Sequence, residues 1–554
     1  MKFIDLMKNG KPHLLIKTEN NLGAETLVQY KPSTYFYFKD KNEGKPWITR
    51  LAFPVHVVER VETYDRISRN HFVTRYAYHH GYFDGPEREF RGFGMVEQFD
   101  TERFTALTND PTLPDVTNVD LASHVPPMHT KTWFHTGAFL HGERISQQMA
   151  HEYFREPAMR AEPGDSDATK QAKNEAFKKL LLDDTVLPDD LNAHEAREAV
   201  RSLKGSILRQ EVYADDDGPK KDVPYSVSER NYTIKCLQPR SGNEHAVFFT
   251  HANETIDFHY ERNTADPRIS HSITLEMDEY GNVLKSATIG YGRRIDAPDL
   301  ADADDRKKQK QTLVTYTENE VTNAIDDADD RRTPLPATAD TFELTGFTAT
   351  GPAGRFAQAD LVALEPLPNS PRPRRYLLVP HTGIDYEVEA TNGRQKRLIE
   401  RLRSYYRADD LTRRLDLKEA QPLALPYESY KLALTASLVG QVFKRGRTAV
   451  KETLVLDAPG LLEGTGPDGG GYTFLDGDHT RWWISSGRVF YLDVDDPAPA
   501  AEFERARTHF FLPRSFKDPF RSLTTVNYDP YDLAVITTRD ALGNTVSARN
   551  DYRV

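Results

Sequence analysis

The chain of 554 residues contains a single cysteine, Cys236, so no disulfide can form within it. Cys236 sits in the strand-like run YTIKCLQP, where a small apolar packing role is expected. No apolar run approaches the roughly 20 residues that a membrane-crossing helix needs. The opening stretch MKFIDLMKNGKPHLLIK has neither a continuous apolar core nor a small-residue cleavage site, so it does not read as a Sec signal. Positive charge is not in excess either: 72 basic against 84 acidic residues leave a net charge of −12. Nucleic-acid binding is therefore disfavoured, because phosphate contacts need a basic surface. The short run SPRPRRY, with Arg372, Arg374 and Arg375, reads as loop charge.

Catalytic signatures are equally scarce. His79 and His80 are adjacent, so on a strand they face opposite sides and cannot share a metal. His135 and His141 lack a third partner at a zinc-like spacing. Asp215-Asp216-Asp217-Gly218 resembles the start of a calcium loop, but Ser226 holds the twelfth position where a glutamate is needed. It reads as a solvated turn. Gly469-Gly470-Gly471 has no following Lys-Ser/Thr and is no phosphate loop. No Gly-x-Ser-x-Gly elbow occurs, and the carboxylates are too dispersed to nominate an acid and a base. The expectation is no catalytic, cofactor-binding or metal-binding residue, and no cofactor.

What is present is β pattern. The chain is long enough for about two to four units, and 38% hydrophobic with 28% charged residues is a globular composition. Leu14 to Ile16, Thr26 to Tyr30, Tyr35 to Phe38 and Val55 to Val61 read as strands between Asn/Gly/Pro breaks, with Trp47 as a core anchor. Tyr76 to Asp100 (YAYHHGYFDGPEREFRGFGMVEQFD) reads as an aromatic hairpin turning at Asp84-Gly85-Pro86, with strand glycines marking a bulge or a close backbone approach. A loop at 101–128 and a strand at Lys131 to Phe139 follow. Then comes a helical insert, with helices at Glu175 to Leu182 and Leu191 to Leu208 and Gly205 at its end. Strands return at 232–237, 246–250, 256–262, 270–277 and 283–291. Residues 295–340 read as one or two surface strands with loops, 341–392 as β, 393–414 as a charged helix, and 428–443, 482–484 and 489–494 as strands. Asp278-Glu279-Tyr280-Gly281-Asn282 and Asp540-Ala541-Leu542-Gly543-Asn544 are the same hairpin turn, each followed by a strand and a tyrosine, Tyr291 and Tyr552. The repeat suggests stacked hairpins in a long sheet.

At the hairpin, YHHGYFDGPEREFRGFGMVEQFD resembles the segment that follows the β-propeller in B components of bacterial Tc toxins, the insecticidal toxin complexes. KTWFHTGAF, LKGSILRQEVY, PYSVSERNY and the Asp278 to Tyr291 unit resemble that family's middle region. YDPYDL with RDALGN resembles its RHS, or YD-repeat, shell. The resemblance runs from about residue 10 to the C-terminus, in the family's order. It implies a mainly β fold: a spiralling antiparallel RHS-type cocoon shell built of hairpins, with a small helical insert at about 170–208. It also implies a division into 1–110, the end of the propeller and middle N-terminal region; 111–294, the middle C-terminal region; and 295–554, the start of the shell.

The implied function is non-enzymatic. With a C component, such a shell encloses a toxic cargo, and the A-component pore is met through a propeller that would precede Met1. That points to a truncated or split B component. The family's aspartyl self-cleavage site belongs to the C-component end, and no equivalent motif stands here. The implied setting is secretion within a toxin complex after synthesis in the cytoplasm, with no nucleic acid and no membrane insertion by this chain. The other readings are a stand-alone RHS surface or contact-dependent toxin, and a β-rich carbohydrate-active enzyme. The first predicts more YD repeats and an export signal, and the second a convergent acid pair.

Overall fold

Alternation sets the strands. In SVSERN, Val227, Glu229 and Asn231 are buried while Ser226, Ser228 and Arg230 between them are only half-buried, the two-residue period of a pleated chain. The computed structural model describes residues 13–100, 127–140, 145–185, 187–296, 300–366, 374–442, 444–445, 453–454 and 471–552. The fold is mainly antiparallel β, and the chain divides into two compact units. The first holds residues 1–273, 289–312 and 352–354; the second holds 274–288, 313–351 and 355–554.

The first unit is a meander. Its strands are β1 (Lys17–Glu19), β2 (Ala24–Pro32), β3 (His56–Asp65), β4 (Asn70–Asp84), β5 (Glu89–Phe99), β6 (Met128–Phe134), β7 (Ile207–Ala214), β8 (Ser226–Gln238), β9 (Val247–His259) and β10 (Arg268–Met277). Each pairs antiparallel with the next. Helices α1 (Ser33–Asn42), after β2, and α2 (Asp167–Leu180) and α3 (Ala193–Arg201), between β6 and β7, accompany them.

The helix ends are written in the sequence. The Ser166 hydroxyl accepts the Thr169 N–H at 3.2 Å and caps α2. Asn192 and Glu195 form a reciprocal capping box on α3. Gly205, at φ 85°, then turns the chain into β7. The insert packs its apolar faces on the sheet, burying Met95, Trp133, Met149, Tyr153, Phe177, Leu181 and Leu208 together. A second cluster joins Ile145, Ala199, Val200, Leu203 and Ile234. Each large side chain so buried contributes about 1.5–3 kcal/mol.

In the second unit, strands at Leu313–Val321, Pro336–Thr345, Gln395–Tyr406, Pro426–Thr435, Asp478–Ser485 and Tyr472–Leu475 pair antiparallel in that order. A separate five-stranded meander runs from Arg488–Phe490 to Thr545–Ser547.

One turn recurs. At Asn20, Asp278, Asp518 and Asp540, the side-chain Oδ1 accepts the N–H groups two and four residues on, at 2.7 to 3.0 Å. The fourth residue, Gly23, Gly281, Arg521 or Gly543, has φ between 68° and 104°. This is a three-residue hairpin loop that ends in a left-handed position. The sequence reading found the two Asp-x-x-Gly-Asn copies. Asn20 and Asp518 were hidden because neither keeps the full motif.

Several expectations are corrected. Tyr35 to Phe38 is not a strand but lies in α1. Ser33, Phe36 and Asp40 are its buried residues, a helical spacing, while Tyr35 and Phe38 are exposed. The Ser33 N–H and hydroxyl both bond the backbone of Val55, and Asp40 takes tertiary partners, which outweighs the β-propensity of alternating aromatics. Residues 393–414 are no helix: Gln395–Tyr406 is a strand between two others. Its basic residues face cross-strand acids, Arg397 with Glu343, Arg401 and Arg403 with Asp340, and Lys396 with Glu318. A cross-strand pairing that no local window contains decides the matter.

Residues 14–16 precede β1 rather than form it, and β6 ends at Phe134. The strands expected at 246–250 and 256–262 are one, β9. Residues Ala436–Val442 are helical where a strand was expected, and the strand at 489–494 ends at Phe490. At the hairpin turn Arg88, at φ 51°, takes the left-handed conformation. His141, Arg372, Gly469, Gly470 and most of the 101–128 loop lie outside the described residues.

Candidate functional site: the aromatic hairpin and its buried ion pairs

The β4–β5 hairpin starts from its glycines. The pairing shifts between Gly81 and Phe83, and Gly92, at φ 89°, lies in the resulting bulge. Beside the bulge, buried Arg91 reaches Asp84 at 3.1 Å, Glu89 at 3.2 Å and the Gly137 carbonyl at 2.7 Å. Gly81 and Gly94 are close approaches. A Cβ on Gly81 would stand 2.8 Å from the Trp47 ring, and one on Gly94 3.0 Å from the Met149 sulfur. Phe93 lies 5.0 Å from Tyr78, 5.7 Å from Phe90 and 6.1 Å from Trp47, ring centre to ring centre.

The adjacent histidines point to different partners, as alternation requires. His79 Nδ1 lies 2.6 Å from Asp40 Oδ2, which also accepts the Trp47 indole N–H at 2.7 Å. His79 Nε2 lies 3.2 Å from Glu97, whose other oxygen meets His129. Burial alone would lower the His79 pKa, but the bonds to Asp40 and Glu97 outweigh it and raise it to about 9. Burial likewise opposes ionisation of Glu97, yet its bonds with His129 and His79 hold that carboxyl far below the usual range. His80 Nδ1 accepts the Ile48 N–H at 3.1 Å, so its Nε2 donates to Glu152, 2.8 Å away. Glu152 also accepts the indole N–H of fully buried Trp133 at 3.0 Å. His135 is buried with no counter-charge among the described residues, and burial lowers its pKa to about 3.

Two strands further on, carboxylates fasten the helical insert. Arg209 Nε lies 2.6 Å from Glu211 and Arg209 Nη1 2.6 Å from Glu229, with all three side chains buried. Each glutamate also holds the insert's backbone. Glu211 accepts the Phe154 N–H and Glu229 the Leu182 N–H, both at 2.8 Å. Asp184 binds back, accepting the N–H groups of Ile145 and Ser146. In the second unit, Arg407 and Glu502 form a doubly bonded buried pair at 3.0 and 2.9 Å.

These hydrogen bonds join strand to strand and sheet to insert. Among the described residues, no group of three or more His, Cys, Asp or Glu is placed to hold a metal. Asp216 pairs with Arg262 at 2.6 Å at the start of the Asp215 to Gly218 turn, and Cys236 is half-buried on β8. The sequence reading missed Asp40, Glu97, Glu152, Arg209, Glu211, Glu229, Arg407 and Glu502. One signal was available: in ILRQEVY the charges at Arg209 and Glu211 fall in phase with buried Tyr213.

Fold and site together define a large hairpin-built β protein whose buried polar groups fasten one element to another. Residues 4–137 match the family model of the insecticide toxin TcdB middle/N-terminal region, and residues 198–334 that of the TcdB middle/C-terminal region. Solved structures agree over nearly the whole chain. The TcdB2-TccC3 structure matches 97% of this chain at TM-score 0.60 and 23% identity. TcdB2-TccC3-TEV matches 98% at 0.61 and 25%, and the Photorhabdus luminescens Tc holotoxin pore matches 98% at 0.58 and 24%. The chain therefore carries the two middle regions of a Tc toxin B component, over residues 4–137 and 198–334. It spans 22–23% of the length of those solved chains. No curated protein matches it.

Proposed function

We propose that this chain is a non-enzymatic wall segment of a toxin complex. Together with a C component it forms part of a hollow β shell that encloses a toxic cargo. The observation that carries this reading is the fold agreement over 97–98% of the chain with TcdB2-TccC3 structures, joined to two TcdB middle regions in order. The division proposed is a middle N-terminal region to residue 110, a middle C-terminal region over 111–294, and the start of an RHS-type shell over 295–554. A propeller elsewhere in the B component would dock on the A-component pore, and the assembly would act outside the cell that makes it. Hairpins suit such a wall, since successive strands cover one another's edges, which otherwise invite aggregation. Co-expression with a C-component shell half should give a stable complex that shields the cargo from protease. Digestion of the cargo at the rate of free cargo would count against enclosure.

A further inference from the structure

The first unit contains a cavity of about 530 Å³ bordered by strands β6 and β7 and the start of the insert. Lys131, Arg155 and Arg160 line it. Arg155 and Arg160 have no ion-pair partner among the described residues, and Lys131 acts on the cross-strand Glu97 carboxylate through its charge alone. Each cation lies near an aromatic ring. Arg155 Cζ stands 4.2 Å from the centre of Phe177, Arg160 Cζ 5.2 Å from Phe154, and Lys131 Nζ 5.4 Å from Tyr213. Arg160 is fixed by donating to the backbone carbonyls of Arg155 at 2.7 Å and Asp222 at 3.3 Å. Burial lowers the Arg155 pKa with no carboxylate to offset it.

Acids also border the cavity, but they are engaged or exposed. Glu152 is taken by His80 and Trp133, Asp215 and Asp217 have partners of their own, and Asp222 is exposed. A guanidinium lying on an aromatic face has lost hydration there; Arg160 has already given its Nε and one Nη2 donor to carbonyls, whereas the Arg155 edge makes no hydrogen bond among the described residues. That edge matches the paired oxygens of a phosphate or a carboxylate.

We propose that this cavity is an oxyanion-binding site, with Arg155 as the principal contact and Arg160 and Lys131 completing the charge. The inference does not rest on the shell reading. The free oxyanion and the acidic side chain of a polypeptide share this chemistry, and two probes separate them. In equilibrium dialysis of the full chain at physiological ionic strength, the probes are labelled inorganic phosphate and a fluorescent glutamate oligomer. Saturable uptake of one per chain is expected. Phosphate uptake identifies a free anion as the ligand, and uptake of the oligomer alone identifies peptide carboxylates. Arg155→Gln should weaken uptake about tenfold or more with an unchanged far-UV spectrum. Should that variant fail to fold, Lys131→Met gives the same reading. The proposal is overturned if neither probe is taken up saturably, or if the folded variants bind as the parent does.

Discussion

His79 and His135 are two histidines of the first unit that the fold drives in opposite directions. Asp40 and Glu97 raise the pKa of His79 to about 9, whereas burial lowers that of His135 to about 3. The unfolded value is near 6.5 for both. His79 therefore binds a proton more tightly folded than unfolded. Its contribution is complete below pH 6.5 and is lost as pH rises to about 9. His135 behaves inversely: its neutral form is compatible with folding above pH 6.5, and stability falls as pH drops toward about 3. Urea unfolding of His79→Gln and His135→Gln across pH checks both. The parent's advantage over the first should shrink above pH 6.5, and its standing against the second should worsen below it. Differences flat with pH would refute the assigned charge states. Phe93 is half-buried among Tyr78, Phe90 and Trp47. Phe93→Ala should therefore cost about 2–3 kcal/mol by denaturant titration, less than a fully buried phenylalanine.

Elements are joined by the same chemistry. Arg209 neutralises Glu211 and Glu229, which between them hold the backbone at Phe154 and Leu182. Arg209→Met would leave two buried carboxylates without a counter-charge. We expect a loss of about 3–5 kcal/mol, with proteolysis beginning within 145–185. First cleavage elsewhere would show that the pair does not fasten the insert. Gly281→Ala should cost about 1 kcal/mol because that turn position is left-handed at φ 92°; thermal unfolding of the variant measures it. The turn was legible because its side-chain bonds are local. The strand Gln395–Tyr406 was not legible, because QKRLIERLRSYY carries helix-forming charges whose partners, Glu343 and Asp340, lie more than fifty residues away. α1 failed in the opposite sense, since alternating Tyr and Phe imitate a strand until the buried spacing of Phe36 and Asp40 is seen.

At the scale of the molecule, each compact unit holds its own buried arginine–glutamate pair, Arg209 in the first and Arg407 in the second. Such pairs are weak sources of net stability but penalise any arrangement that separates them. On the proposed reading, the chain should pair with a C-component half as a folded surface, which the protease-protection experiment tests. Composition, turn chemistry and alternation by themselves determined a mainly β, hairpin-built chain with a helical insert. These signals act within a few residues, so they survive in the sequence. The tertiary structure alone decided the rest: that α1 is a helix and 395–406 a strand, and that Lys131, Arg155 and Arg160 border one cavity. The Tyr76 to Asp100 hairpin shows both sides. Its bulge and close approaches were readable from its glycines, but Asp40 and Glu152, which orient its two histidines, come from distant segments that only folding brings near.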